Sequence, residues 1–249
     1  MKKKDMKYGK SFENNTNDHN EEIIGKNMTF SLSEAFKLLR TNISFSLPDD
    51  NECRVIGVVG AIRGVGKSFV AANLAYSFAG ADKKVLLIDG DLRMPTIAEK
   101  TGLAPTPGLS NYLVGVGADS IEDITQNFAK NMDVITSGNI PPNPSELLGS
   151  GKMRSLLSTL KEKYDYIIFD LPPTVLVSDA LVISTLVHGF VLVIRQKIDE
   201  KKSVKEMIRQ LDFVQAKVLG FVFNSFDKGG KGNGKYKRKK YYRYYKREQ

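Results

Sequence analysis

Residues 55–68 read VIGVVGAIRGVGKS. An apolar run of strand length passes into a glycine-rich turn. Gly66-Lys67-Ser68 then opens a pattern in which Val70, Leu74 and Phe78 recur every four residues. This spacing predicts a buried strand, a tight turn and a helix over about residues 67–80. The residue types suit one task. Glycines let successive backbone N–H groups point at a single anion, lysine adds a point charge for the outer phosphates, and a serine hydroxyl is a suitable Mg²⁺ ligand. The helix directs the positive end of its dipole at the same anion. The usual pattern, G-x-x-x-x-G-K-[ST], is broken at its first position by Ala61, with Gly60 one residue early. A chance glycine turn before a helix is the plainer alternative. A dinucleotide-binding turn is excluded, because G-x-G-x-x-G is not matched and Lys67-Ser68 would have no role in it.

Acidic motifs downstream weigh against a chance turn. Lys84–Arg93 reads KVLLIDGDLR, a buried-strand run closed by Asp89 and Asp91. At a spacing of two on a strand, both carboxylates are expected on one side. They would lie at the carboxyl end of a parallel strand, where open α/β sheets bind ligands. A polar turn after a strand is the bland alternative. Tyr166–Asp170, YIIFD, is a second apolar run ending in an acid, the pattern of a carboxylate that reaches Mg²⁺ directly or through water.

Around these motifs the chain alternates. Helices are expected over 31–46, 151–164, 178–187 and 202–214, and strands over 132–136, 189–195 and 218–223. Residues 94–131 read as irregular, with short helical pieces at 109–114 and 121–125. Ser31 with Glu34 fits a capping box for the first helix. The alternation implies an α/β fold of the P-loop NTPase kind, a mainly parallel sheet with helices on both faces. A disordered segment over 1–30, a domain over 31–227 and a flexible tail over 228–249 complete the expected organisation.

Charge belongs to the tail. The net charge is +9, but residues 228–249 hold ten Lys/Arg and one Glu, leaving 27 residues of each sign elsewhere. The basic balance therefore says nothing about the globular body. The tail also holds five of the ten tyrosines, Tyr236, Tyr241, Tyr242, Tyr244 and Tyr245. Nucleic-acid binding, anionic lipid binding and modification of the tyrosines themselves are its three readings. A single cysteine, Cys53, permits no disulfide within the chain and suits a reducing compartment. The N-terminus has charges but no apolar stretch behind them, so no signal peptide is expected. The longest weakly polar stretch, residues 181–194, is interrupted by Ser184, Thr185 and His188 and is too short to span a bilayer.

Taken together, Ala61–Ser68, LIDGDLRMP (87–95), IIFDLPP (167–173), PPNPSELL (141–148), EAFKLLRTN (34–42) and the terminal tyrosines resemble the bacterial P-loop tyrosine kinases that regulate capsule and exopolysaccharide synthesis. The resemblance covers about residues 30–245 and is to the cytoplasmic form whose membrane-spanning activator is a separate chain. It implies ATP and Mg²⁺ as cofactors. Gly64, Val65, Gly66, Lys67, Ser68 and Phe69 would hold the phosphates, and Asn224 would contact adenine. Ser68, Asp89, Asp91 and Asp170 would share the metal. Lys67, Asp89, Asp91 and Asp170 would carry catalysis, with Asp89 as base or orienter, although the division among the three acids stays open. Glu34, Lys37 and Arg40 would contribute to a ring-shaped homo-oligomer, their plainer reading being a solvated charged face. A protein-tyrosine phosphatase partner, recruitment to the inner face of the membrane and no nucleic-acid partner are further implications. The tail tyrosines would be the phosphoacceptors.

Three departures stand out. Arg63 and Val65 replace a proline and an acid common in that loop, Lys37 replaces an arginine of the oligomer motif, and the tail tyrosines are closely spaced in a strongly basic setting. A partitioning or septum-positioning ATPase of the same fold is the runner-up. Its signature lysine near the start of the loop would fall at Ile62, which argues against it.

Each phosphotyrosine adds about −1.5 to −2, so five would nearly cancel the tail charge of +9. Binding to anionic vesicles should be salt-sensitive before phosphorylation and strongly weakened after it. Equal binding in the two states would refute the charge switch.

Overall fold

The computed structural model describes Gly25, residues 28–47, 52–196 and 198–224. The expected disordered segment, apart from a few residues, and the tail with Tyr236, Tyr241, Tyr242, Tyr244 and Tyr245 lie outside the described residues. The elements in order are α1 (Phe30–Ser46), β1 (Arg54–Gly60), α2 (Lys67–Ala79), β2 (Val85–Asp89), α3 (Ile97–Thr101), α4 (Leu109–Val114), β3 (Thr125–Ala129), β4 (Met132–Ile135), α5 (Pro144–Leu148), α6 (Gly151–Lys161), β5 (Tyr166–Asp170), α7 (Asp179–Val182), β6 (Gly189–Arg195), α8 (Lys201–Phe213) and β7 (Val218–Asn224). Short 3₁₀ turns follow at 122–124 and 183–186.

The seven strands form one sheet in the order β3-β4-β2-β5-β1-β6-β7. All pairs are parallel except β3 with β4. Every residue of β1 and β2 is buried, as strands covered on both faces require. Their side chains alternate between two cores. Val55, Val59, Leu86, Ile88, Ile167 and Phe169 face the layer of α4, α5, α6, α7 and α8. Ile56, Val58, Val85, Leu87 and Ile168 face α1 and α2. The α/β architecture with helices on both faces is thus as expected. No described helix is long and apolar enough to cross a membrane.

Three local expectations need correction. The cap of α1 is Thr29, whose extended backbone lets its hydroxyl accept from the Leu32 N–H at 3.4 Å. Ser31 lies inside the helix, and Glu34 is turned to Lys37 instead of closing a capping box. Residues 94–131 hold a helix, α3, and a strand, β3. The β3 sequence, TQNFA, lacks an apolar face because it is a half-buried edge strand. Finally, β2 ends at Asp89, so Asp89 and Asp91 are not two positions on one strand.

The layer of α1 and α2 is anchored by aromatic contacts. Phe78, almost fully buried on α2, stacks on Tyr166 of β5 with ring centroids 3.8 Å apart and planes at 25°. Phe36 of α1 meets Phe69 of α2 edge-on at 5.9 Å. Phe78→Ala removes the first contact and leaves a cavity against the central sheet. It should cost about 3–5 kcal/mol in denaturant unfolding; a loss under about 1 kcal/mol would show that this layer can collapse around the gap.

Candidate active site

The turn between β1 and α2 is shaped by two glycines. Gly64 and Gly66 have φ of +76° and +96°, a region that side-chain-bearing residues rarely adopt. A Cβ on Gly66 would also sit 2.0 Å from Asn224 Nδ2. Asn224, at the carboxyl end of β7, donates from that nitrogen to the Val65 carbonyl at 2.9 Å. Arg195, at the end of β6, donates to the Gly64 carbonyl at 2.9 Å. Both carbonyls are therefore held from outside, which leaves the loop's N–H groups to face inward. Gly66 is the N-cap of α2 and has no side chain to satisfy the helix's first N–H donors. They remain available to an anion.

The cleft in front of this loop has a volume of about 350 Å³. Gly64, Gly66, Lys67, Ser68 and Phe69 form one wall, and Asp91, Met94, Thr96 and Lys100 form the other. Arg63 stands at the lip. Lys67 is buried. The Ser68 hydroxyl accepts from the Thr96 hydroxyl at 2.9 Å.

The three acids differ sharply in surroundings. Asp89 and Asp170 are register partners at the ends of adjacent parallel strands, and both are fully buried or nearly so. Asp89 Oδ1 accepts from the Asp91 N–H at 3.2 Å, and Oδ2 accepts from Thr96 N–H at 3.2 Å and Ile97 N–H at 3.0 Å. Neither oxygen of Asp170 accepts a well-formed hydrogen bond. Burial, and then the Asp170 charge, raise the Asp89 carboxyl well above the usual range. Burial pushes Asp170 up to about 6, against the opposing pull of Lys67 and the Ser68 hydroxyl. Asp91 borders the cleft, with Oδ1 accepting from the Met94 N–H at 3.0 Å. Its carboxyl is raised by burial and lowered by the Met94 N–H, Lys67 and Arg63.

This donor set fits a Mg²⁺-bound nucleoside polyphosphate. Asp170 presents two buried oxygens without a well-formed hydrogen bond, next to the Ser68 hydroxyl and a buried lysine. A cation there would relieve the burial of that carboxylate. Among the described residues no three His, Cys, Asp or Glu side chains converge as a metal cage. That suits Mg²⁺, which leans on one or two carboxylates, waters and substrate phosphates.

Loop residues 64–69 and Asp91 come together as expected, with Asp89 and Asp170 buried at the strand ends behind them. Asn224 reaches the loop from the side opposite Asp91. Glu34, Lys37 and Arg40 lie apart from the cleft on α1. Lys37 pairs with Glu34 at 2.7 Å, and Arg40 donates to the Ser77 carbonyl of α2 at 2.5 Å. Two features escaped the sequence reading. One is the hold of Arg195 on the loop. The other is a clamp in which Arg93 donates to Asp179 through Nε at 2.9 Å and Nη2 at 3.0 Å, with the Ser145 hydroxyl bonded to the same carboxylate. Asp179 is wholly buried. The signal for the clamp was present, since Arg93 closes LIDGDLR and Ser145 lies in PPNPSELL, but spacing could not pair Arg93 with Ser145 across 52 residues or with Asp179 across 86.

Comparison with known proteins agrees with this geometry. The family described as an AAA domain matches residues 53–220. The tyrosine-protein kinase YwqD of Bacillus subtilis (strain 168) is 41% identical over 193 residues, 77% of this chain and 80% of that protein. The putative tyrosine-protein kinase CapB of Staphylococcus aureus is 38% identical over 194 residues, 78% of this chain and 84% of that protein. The solved kinase domain of the Escherichia coli tyrosine kinase ETK superposes with a TM-score of 0.73 at 35% identity, covering 81% of this chain and 80% of that one. The septum site-determining protein MinD of Pyrococcus horikoshii, solved with Mg-ADP, is more distant. Its 24% identity and TM-score of 0.60, over 71% of this chain and 72% of that one, show a shared fold alone. The chain belongs to the family of bacterial P-loop tyrosine kinases.

Proposed function

We propose that this protein is an ATP-dependent protein-tyrosine kinase that phosphorylates its own C-terminal tyrosines and through them regulates capsular or exopolysaccharide synthesis. The observation that carries the reading is the pairing of a phosphate-shaped loop with a carboxylate, Asp91, on the facing wall of the same cleft. An acid there can orient an attacking hydroxyl, whether of a tyrosine or of water; the tyrosine-kinase relatives favour the tyrosine.

In this reading Lys67 and the N–H groups of residues 64–69 hold the phosphates, and Asn224 borders the adenine end. Ser68 and Asp170 hold Mg²⁺, which when bound neutralises charge on the transferring phosphoryl group. The family resemblance implies Asp89 as base or orienter. Its oxygens are taken by three backbone N–H groups, so its role becomes the shaping of the loop between β2 and α3, and the acceptor-facing role moves to Asp91. The tyrosine oxygen bonds to the γ-phosphorus, the bond from γ-phosphorus to the bridging oxygen breaks, ADP leaves, and the phenolic proton passes to Asp91. A phenol titrates near about 10 and a carboxylate near about 4, so this proton moves late, as a loose transition state allows. Burial raises Asp91 and narrows the gap. Membership of the tyrosine-kinase family supports further parts of the proposal: a membrane-spanning activator that recruits the protein to the inner face of the membrane, a homo-oligomeric ring using Glu34, Lys37 and Arg40, and a phosphatase that reverses the modification. The partitioning-ATPase alternative draws support only from shared fold.

Mass spectrometry after incubation with ATP and Mg²⁺ should find phosphotyrosine among Tyr236, Tyr241, Tyr242, Tyr244 and Tyr245, and none in Lys67→Met. ATP hydrolysis with no phosphotyrosine would instead favour the ATPase alternative.

Asp170 gives an independent test. Its folded pKa lies above the ordinary carboxylate value of 3.8, so the nucleotide-free protein loses stability as pH rises from about 4 to about 6. Asp170→Asn does not titrate. Without nucleotide and Mg²⁺ it should be the more stable protein above pH 6, by on the order of 2–3 kcal/mol, with the advantage vanishing toward pH 4. Mg²⁺ and ATP should raise the melting temperature of the parent chain but barely that of Asp170→Asn. A pH-independent difference would show that burial does not raise the Asp170 carboxyl, and equal melting shifts with Mg²⁺ and ATP in the two proteins would remove Asp170 from the metal site.

A further inference from the structure

The cleft carries two cations that the family reading does not use. Arg63 is exposed at the lip of the loop, immediately before Gly64, where related loops commonly carry proline. Lys100 projects from α3 on the facing wall. Among the described residues neither side chain makes a hydrogen bond or an ion pair. Both line a cleft of about 350 Å³ in which Asp91 is the one lining carboxylate against Arg63, Lys67 and Lys100, so the cleft keeps cationic charge to spare for an anionic ligand.

Their position along the cleft can be fixed. Asn224 marks one end of the loop through its bond to Val65. Asp91 and the Thr96–Ser68 hydroxyl pair mark the other. The charge of Arg63 acts on Asp91, and that of Lys100 acts on Asp170. Both cations therefore belong to the end that holds the metal-binding and acceptor-facing acids, away from Asn224. In a nucleotide laid along the loop, that end receives the terminal phosphate.

We propose that Arg63 and Lys100 form a two-sided clamp on the terminal phosphate of a bound nucleoside triphosphate, so that this cleft discriminates the triphosphate from the diphosphate. This inference rests on the nucleotide reading of the cleft. Backbone N–H groups and Lys67 grip the inner phosphates, which both nucleotides possess. Arg63 and Lys100 meet charge that only the triphosphate brings. The planar guanidinium of Arg63 can bond two phosphate oxygens at once, whereas Lys100 acts as a mobile point charge. Release of the nucleotide after transfer is then favoured, because the diphosphate left behind offers Arg63 and Lys100 no terminal phosphate to hold.

The experiment is equilibrium binding by calorimetry to the full chain in Mg²⁺, using a non-hydrolysable ATP analogue and ADP as probes. The parent chain is compared with Arg63→Ala, Lys100→Ala and the double variant. All should fold normally, since neither side chain is packed in the core; melting temperatures check this. The double variant should lose at least about tenfold in affinity for the triphosphate, the scale of one lost charge-assisted contact or more. ADP affinity should change less than about threefold. Arg63→Lys should recover part of the loss. Equal losses for both nucleotides would reduce the pair to general electrostatic attraction and overturn the clamp, and no loss for either would do the same. If the parent chain bound neither nucleotide, the reading of the cleft itself would fall, and the clamp with it.

Discussion

Asp89 and Asp170 set the terms for everything around them. They face each other as register partners on adjacent strands, on the α2 side of the sheet, with almost no exposure. Two carboxylates so placed cannot both ionise cheaply in the absence of a cation. The chain resolves this unequally. Asp89 receives three backbone N–H groups, two of them at the start of α3. Asp170 receives none and depends on Lys67, Ser68 and whatever cation the cleft admits. The buried acid left with the fewer donors is thus the one that a bound cation would relieve most.

The sheet order explains why these groups meet. β1 lies between β5 and β6, with β2 on the far side of β5. The loop leaving β1 and the acids ending β5 and β2 consequently open on one edge of the sheet, the carboxyl edge where the chain turns to opposite sides. The outer elements then brace the loop. Arg195 from β6 and Asn224 from β7 each take a loop carbonyl. Arg93, tied to Asp179 and Ser145, fixes the segment that follows Asp91 to both α5 and α7. A displacement of either helix is felt two residues from Asp91, the carboxylate that lines the cleft.

What was legible in the sequence follows the same division. Central strands, buried on both faces, write themselves as continuous apolar runs, and β1, β2, β5 and β6 were readable for that reason. The phosphate loop was readable because its backbone geometry demands glycine at Gly64 and Gly66. Edge elements were not. TQNFA gives no periodic signal, since a half-exposed strand needs little apolar surface. The placing of Asp89 and Asp91 on one side failed on a boundary. A spacing of two keeps side chains on one face only while the strand lasts, and β2 ends at the first acid. Contacts such as Arg93 to Asp179 could not be found by spacing, because they are made by the packing of elements distant in sequence.

Charge also imposes an order on the parts. The cleft presents Arg63, Lys67 and Lys100 against Asp91, and the segment proposed to enter it, residues 228–249, carries ten Lys/Arg against one Glu. Between like charges closer than about 8 Å, physiological salt screens only partly. On the reading proposed above, the empty cleft would oppose entry of this segment, and a bound triphosphate would reverse the local sign and assist it. Transfer of the terminal phosphate to a tyrosine would then lower the positive charge of the acceptor segment while it restores that of the cleft, so donor binding, acceptor entry and product separation would follow one electrostatic order.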